Sequence, residues 1–157
     1  MKKLTLYLAT LSVIFLSACG NNLSDKNETK APAERNIDKY FKNHDMAYVA
    51  EDAVFKNMTT GEETKGRKAI GDMLNYLYSV AFDAQADVKF TMANDSSAVL
   101  EAMFTGKHIG DFAGIPATGK AVNVPLCVVY DLNKEGLIQS ARFYLLTDVL
   151  MQQLKAN

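Results

Sequence analysis

The chain has 157 residues, 48% of them hydrophobic, with 17 basic residues against 18 acidic ones. This near-balance excludes the clustered Lys and Arg through which proteins hold nucleic acids or anionic membrane surfaces. The length suffices for one ordinary domain with a substantial core.

At the start, Met1-Lys2-Lys3 is a short positive segment, and Leu4 to Leu16 is apolar apart from Thr5, Thr10 and Ser12. A permanent membrane span needs about 20 apolar residues. Positive start, apolar stretch and small residues follow one another as in a secretory signal. Leu16-Ser17-Ala18-Cys19 resembles the lipobox of bacterial lipoproteins. That resemblance implies a signal peptide over residues 1–18, cleavage before Cys19, and a fatty acyl group (palmitate) on its thiol. Contact with the membrane is then through lipid alone, and no nucleic-acid partner is expected. Gly20 follows the cysteine in place of an aspartate, which puts the expected anchor on the periplasmic face of the outer membrane in a cell that has one. Loss of Lys2 and Lys3 leaves 15 basic residues against 18 acidic, a mature charge of about −3. Residues 19–35 are polar, with Pro32 and no apolar period, and read as a lipidated tether. Residues 36–157 form the expected domain. With Cys19 lipidated, Cys127 has no disulfide partner and reads as a small core residue within the apolar run Val124 to Tyr130.

Ile37, Tyr40, Phe41 and His44 fall at helical spacing. A short strand follows over residues 53–58 and runs into the turn-like Thr59-Thr60-Gly61. After Gly66, one apolar face made of Ile70, Met73, Leu74, Leu77 and Tyr78 predicts a helix ending near Phe82. The pattern then changes to a period of two. Ala84, Ala86, Val88, Phe90 and Met92 define a half-buried strand. Beyond Asn94-Asp95-Ser96, a second strand carries Ala98, Leu100, Ala102, Phe104, Gly106 and His108 on one side and Glu101, Thr105 and Lys107 on the other. A loop over 110–119 leads to a third strand over 122–131, a turn at 133–136, a fourth strand over 137–147 and a last short helix over 148–154. Helices followed by antiparallel strands predict an α+β domain, a curved sheet wrapped around the N-terminal helices with a hollow at its open end.

His108 ends the apolar side of its strand, so its imidazole is expected to face the interior, either as a satisfied core histidine or as a polar handle in a pocket. Asp148 sits at the junction of the last strand and last helix. It is either a helix N-cap or, at the edge of an apolar cavity, a carboxyl group with a raised pKa suited to acid/base work. His44 and His108 lack paired-ligand spacing, and there is no Gly-x-Gly-x-x-Gly, Walker or Gly-x-Ser-x-Gly motif; neither a metal nor a cofactor is expected.

The segment Phe104-Thr105-Gly106-Lys107-His108-Ile109-Gly110-Asp111-Phe112-Ala113-Gly114-Ile115-Pro116-Ala117-Thr118-Gly119-Lys120 resembles the SnoaL-like polyketide cyclase (ester cyclase) family of the nuclear transport factor 2-like superfamily. Arg142-Phe143-Tyr144, Asp148 and Gln153-Leu154 resemble the family's closing strand and tail, and Asp52-Ala53-Val54-Phe55 with Gly66 to Ile70 resembles its early strand and helix start. Lys107 and Ile109 stand where the family commonly has threonines. The resemblance covers residues 36–155 and implies a cone-shaped α+β barrel and cofactor-free acid/base chemistry of the aldol-cyclase or isomerase type. Asp148 and His108 would be the catalytic pair. Phe104, Phe112, Tyr130, Tyr144 and Arg142 would line a pocket for a small apolar or polyketide-like molecule. A non-catalytic binding module is the other expectation, as is a homodimer formed through the open sheet face around Val124 to Tyr130.

Overall fold

The computed structural model describes residues 32–155. The signal segment, Cys19 and most of the tether lie outside the described residues. Helix α1 runs from Pro32 to Asn43, so regular structure begins inside the expected tether. A proline is tolerated in the first turn because the N–H it lacks has no helical partner there. Ala33 is buried against Gly136, where an added Cβ would come within 2.8 Å of the Ala33 Cα. The helix stops at His44, whose φ of 52° is left-handed and whose N–H bonds the Tyr40 carbonyl at 2.8 Å.

Strand β1 (Val49–Asn57) turns through an Asx-type bend, with Asn57 Oδ1 accepting from the Thr59 N–H, into the short β2 (Glu63–Lys65). Helix α2 (Arg67–Asn75) continues as a wider π-helical segment over Tyr76–Ala81. Four strands complete the sheet: β3 (Phe82–Ala93), β4 (Ser97–His108), β5 (Ala121–Leu132) and β6 (Ile138–Leu145). Helix α3 (Thr147–Lys155) closes the described chain. The strand order is β2-β1-β6-β5-β4-β3. All neighbours are antiparallel except β1 and β6, which run parallel, so the sheet is mixed and not wholly antiparallel as expected.

The alternation in β4 and β5 buries one face almost completely. Ala98, Leu100, Ala102, Phe104 and His108 of β4 face inward, as do Val122, Val124, Leu126, Val128 and Tyr130 of β5. Ile37 and Tyr40 of α1, Ile70 of α2 and Leu150 and Leu154 of α3 are buried in the same core. The Gln153 side chain bonds both the N–H and the C=O of Asn123, at 2.8 and 2.9 Å. This docks α3 and satisfies two backbone groups of β5.

Two expectations about strand faces require correction. The outer half of β3 is not half-buried: its register breaks between Val88 and Phe90, leaving Phe90 52% and Met92 62% exposed. In β6, Ile138 pairs with Leu132 and Ser140 with Asp131, so Gln139 is an extra residue in the strand. One inserted residue exchanges the faces of everything after it. Ala141 and Leu145 are therefore buried, while Tyr144 points outward and is 43% exposed.

Candidate functional site

Between the sheet's inner face and the helices lies a hollow of about 60 Å³. Each structural layer contributes to its wall: Phe55 of β1, Leu100 and Phe104 of β4, Phe143 of β6, and Met73 and Leu77 from α2 and the π-helical segment. Among the described residues no charged side chain lines it. Its polar groups are four: the imidazole of His44 and the hydroxyls of Tyr40, Tyr78 and Tyr130. Tyr40 lies in the last turn of α1 and His44 directly after the helix, one turn further on, and Tyr78 comes from the π-helical segment. The His44 ring lies 5.4 Å from the Tyr40 ring and 4.8 Å from that of Tyr78, and Tyr40 meets Tyr130 edge-on at 5.8 Å.

Burial sets the protonation of this cluster. It pushes the Tyr78 hydroxyl up to about 12 and those of Tyr40 and Tyr130 higher still, and it lowers the His44 pKa. At neutral pH the hollow therefore presents three phenols and an uncharged imidazole. None of these four side chains makes a hydrogen bond to another described residue, and their polar atoms open onto the hollow and are not sealed in the core.

His108 is fully buried on the expected side of β4. Its Nδ1 accepts the Thr118 N–H at 3.2 Å and lies 3.0 Å from Thr118 Oγ1, so the ring carries its proton on Nε2. That Nε2 is buried with no partner among the described residues. The 110–119 loop creates this arrangement. Ala113 and Gly114 take left-handed φ of 49° and 77°, turning the chain so that Phe112 bridges Ile115. The loop then returns, with the His108 N–H bonding the Lys120 carbonyl and the Gly119 N–H bonding the His108 carbonyl. Phe82 packs on both the His108 ring, at 5.0 Å, and Phe104, at 5.4 Å; of these three only Phe104 lines the hollow.

The other expected site residues divide as follows. Phe104 and Tyr130 line the hollow. Phe112 is half-buried and packs edge-on against Phe82 at 5.1 Å, away from the wall. Arg142 and Tyr144 lie on the outer face because of the extra residue in β6. Arg142 grips the Asp131 carboxylate with two N–H groups, and that guanidinium holds the Asp131 pKa below its usual value. Asp148 is exposed in the first turn of α3 beside Met151, Gln152 and Lys155. It complements the helix dipole there and does not line the hollow. Cys127 is half-buried on the outer face, paired in register with Glu101 and Tyr144, and is not a core residue. The polar cluster of His44, Tyr40 and Tyr78 was hidden because each residue completes an apolar helical face. The available signal was that these faces end in polar atoms.

Comparison with known proteins agrees with this architecture. The family model of the SnoaL-like polyketide cyclases matches residues 37–154, and the chain belongs to that family. A SnoaL-like protein of the polyketide-cyclase type from Jannaschia sp. CCS1 superposes with a TM-score of 0.72 at 16% identity, covering 82% of this chain and 94% of its own. A protein of the same type from Xanthomonas campestris gives 0.67 at 21% identity, covering 79% and 97%. AclR of Streptomyces galilaeus, proposed to be a hydroxylase, gives 0.65 at 18% identity, covering 78% and 94%. These identities establish the fold alone. No functionally curated protein matches the chain in sequence.

Proposed function

We propose that this SnoaL-like domain binds a small, uncharged, largely apolar molecule in the hollow beneath α1 and α2. The observation that carries this reading is the set of four uncommitted polar groups around an otherwise hydrocarbon wall. Their polar atoms reach the open space of the hollow, since His108 Nε2 is the sole sealed and unpartnered side-chain atom among the described residues, and an oxygen of a bound molecule would satisfy them. Xenon is a probe small enough for the space. A saturable xenon NMR shift is expected, and Ala86→Phe, which places a ring in the hollow, is expected to remove it. Asp148→Asn should leave it unchanged. Absence of saturable binding to the unmodified protein refutes the reading.

Acid/base turnover by Asp148 and His108 is a further step that the exposed position of Asp148 does not favour. Any such chemistry draws more support at the His44 and tyrosine cluster. The lipobox-like Leu16 to Cys19 supports an envelope lipoprotein held by its acyl chain, and no described helix is long and apolar enough to cross a membrane. Cys19→Ser is expected to move the protein from the membrane fraction to the soluble one; unchanged fractionation would reject the anchor.

A second reading concerns assembly. The outer sheet face exposes Phe90, Met92 and Tyr144 beside the half-buried Val99, Cys127 and Val129, with Glu101 and the Arg142–Asp131 pair interspersed, a mixed surface with an apolar part. It supports a homodimer formed face to face. Light scattering is expected to give a dimer for the protein and a monomer for Phe90→Asp with Met92→Asp; a monomer before mutation rules it out.

A further inference from the structure

The inner hollow does not stand alone. On the far side of His44, Leu74 and Tyr78 lies a second cleft of about 220 Å³, between the end of α1 and α2. Those three side chains line both spaces and are all that the two share. The two spaces differ in chemistry. Beyond the shared three, the inner one is bounded by hydrocarbon, aromatic rings and two tyrosine hydroxyls, while the outer one is bounded by Asn43, Asn75 and Ser79 together with Met46 and Gly71. Among the described residues neither has a charged side chain in its wall.

Size decides how a ligand must lie. With about 60 Å³ of clear space the inner hollow is a seat for one end of an organic molecule. A larger ligand must cross the partition. The group that crosses meets the His44 imidazole and the Tyr78 hydroxyl, neither of which bonds a described residue. The left-handed backbone at His44, with φ of 52°, ends α1 so that this ring sits at the crossing, against Tyr78.

We propose that the partition of His44, Leu74 and Tyr78 is the specificity-determining element of the site, selecting a neutral ligand with three parts. A short hydrocarbon end fills the inner hollow, a carbonyl or hydroxyl oxygen lies at His44 and Tyr78, and a more polar remainder occupies the cleft of Asn43, Asn75 and Ser79. This rests on the reading that the hollow binds small molecules and adds to it which chemistry is chosen and from which side. An anion or cation is rejected because no countercharge lines its path.

Three probes of equal length test the assignment: 2-pentanone, pentane and pentanoate, each titrated into the purified protein while the aromatic NMR resonances are followed. The ketone is expected to bind about tenfold more tightly than pentane, as one net hydrogen bond allows, and pentanoate at least about tenfold more weakly than the ketone. Tyr78→Phe removes one oxygen without disturbing the fold and is expected to erase most of the ketone's advantage while leaving pentane binding unchanged. His44→Phe should do the same. Should the larger ring fail to settle at a left-handed residue, Tyr78→Phe decides alone. Leu74→Trp, which narrows the crossing, is expected to weaken ketone and pentane together. Equal affinity for ketone and pentane, or a ketone preference that survives Tyr78→Phe, overturns the assignment while saturable xenon binding leaves the cavity reading in place. If xenon fails as well, both fall.

Discussion

Replacing Phe104 with alanine is expected to lower unfolding stability by about 4 kcal/mol, the largest single effect foreseen for this domain. The ring is wholly buried and meets Tyr78 edge-on at 5.3 Å and Phe82 at 5.4 Å. Both losses count: the transfer free energy of the ring, and the space it leaves behind. That space cannot close easily, because β4 is held on both flanks, with Phe104 opposite Ala86 of β3 and Val124 of β5. The ring also borders the 60 Å³ hollow, so the truncation joins two empty volumes into one large enough for a benzene-sized guest. Denaturant unfolding should show the stability loss, and saturating benzene should restore part of it. A loss below about 1 kcal/mol would show that the site collapses, contrary to the rigid packing described.

Gly106→Ala is expected to cost about 3 kcal/mol, although it adds only a methyl group. Gly106 faces Ala84 across the β3–β4 ladder, and a Cβ there would lie 2.3 Å from the Asp83 carbonyl oxygen and 2.6 Å from the Ala84 Cα. Both are backbone atoms, so no rotamer change relieves the clash and the start of β3 must move away. Phe82, which packs against His108 and Phe104, begins that strand and would move with it. Hydrogen exchange should accelerate over residues 82–86. Gly114 supplies the contrast: its φ is +77° but nothing lies within 4 Å of an added Cβ. Gly114→Ala should therefore cost only about 1 kcal/mol, the conformational part alone. Equal losses at the two glycines would contradict the steric account.

The fold was readable wherever burial repeated with a fixed period. The inner face of β4 from Ala98 to His108 followed directly from alternation, as did the apolar side of α2. What escaped were events that local pattern does not encode. Gln139 is an ordinary residue in a strand, yet as an extra one it exchanged the faces of β6 and carried Arg142 and Tyr144 to the outside. The parallel partnership of β1 with β6 is likewise decided by tertiary packing. Phe104 and Tyr130 reach the wall of the hollow because they sit on cleanly alternating strands. His44, Tyr40 and Tyr78 were read as core because a tyrosine or histidine satisfies an apolar helical face as well as a leucine does. Their unpaired polar tips become visible only when every neighbour is known. The Gly-x-His and Gly-Lys parts of the 104–120 segment carry close backbone approaches and a return loop. Gly106 meets β3, Gly110 meets the Val80 carbonyl, and the Thr118 N–H bonds the Nδ1 edge of the His108 ring.

The parallel pairing of β1 and β6 has a consequence for the order of events at birth. The Thr59 hydroxyl, just beyond β1, bonds the Leu145 carbonyl 86 residues later, so the sheet cannot be completed until nearly the whole polypeptide is available. A polypeptide that closes so late stays pliable while it is being made, since pairings between distant segments form slowly.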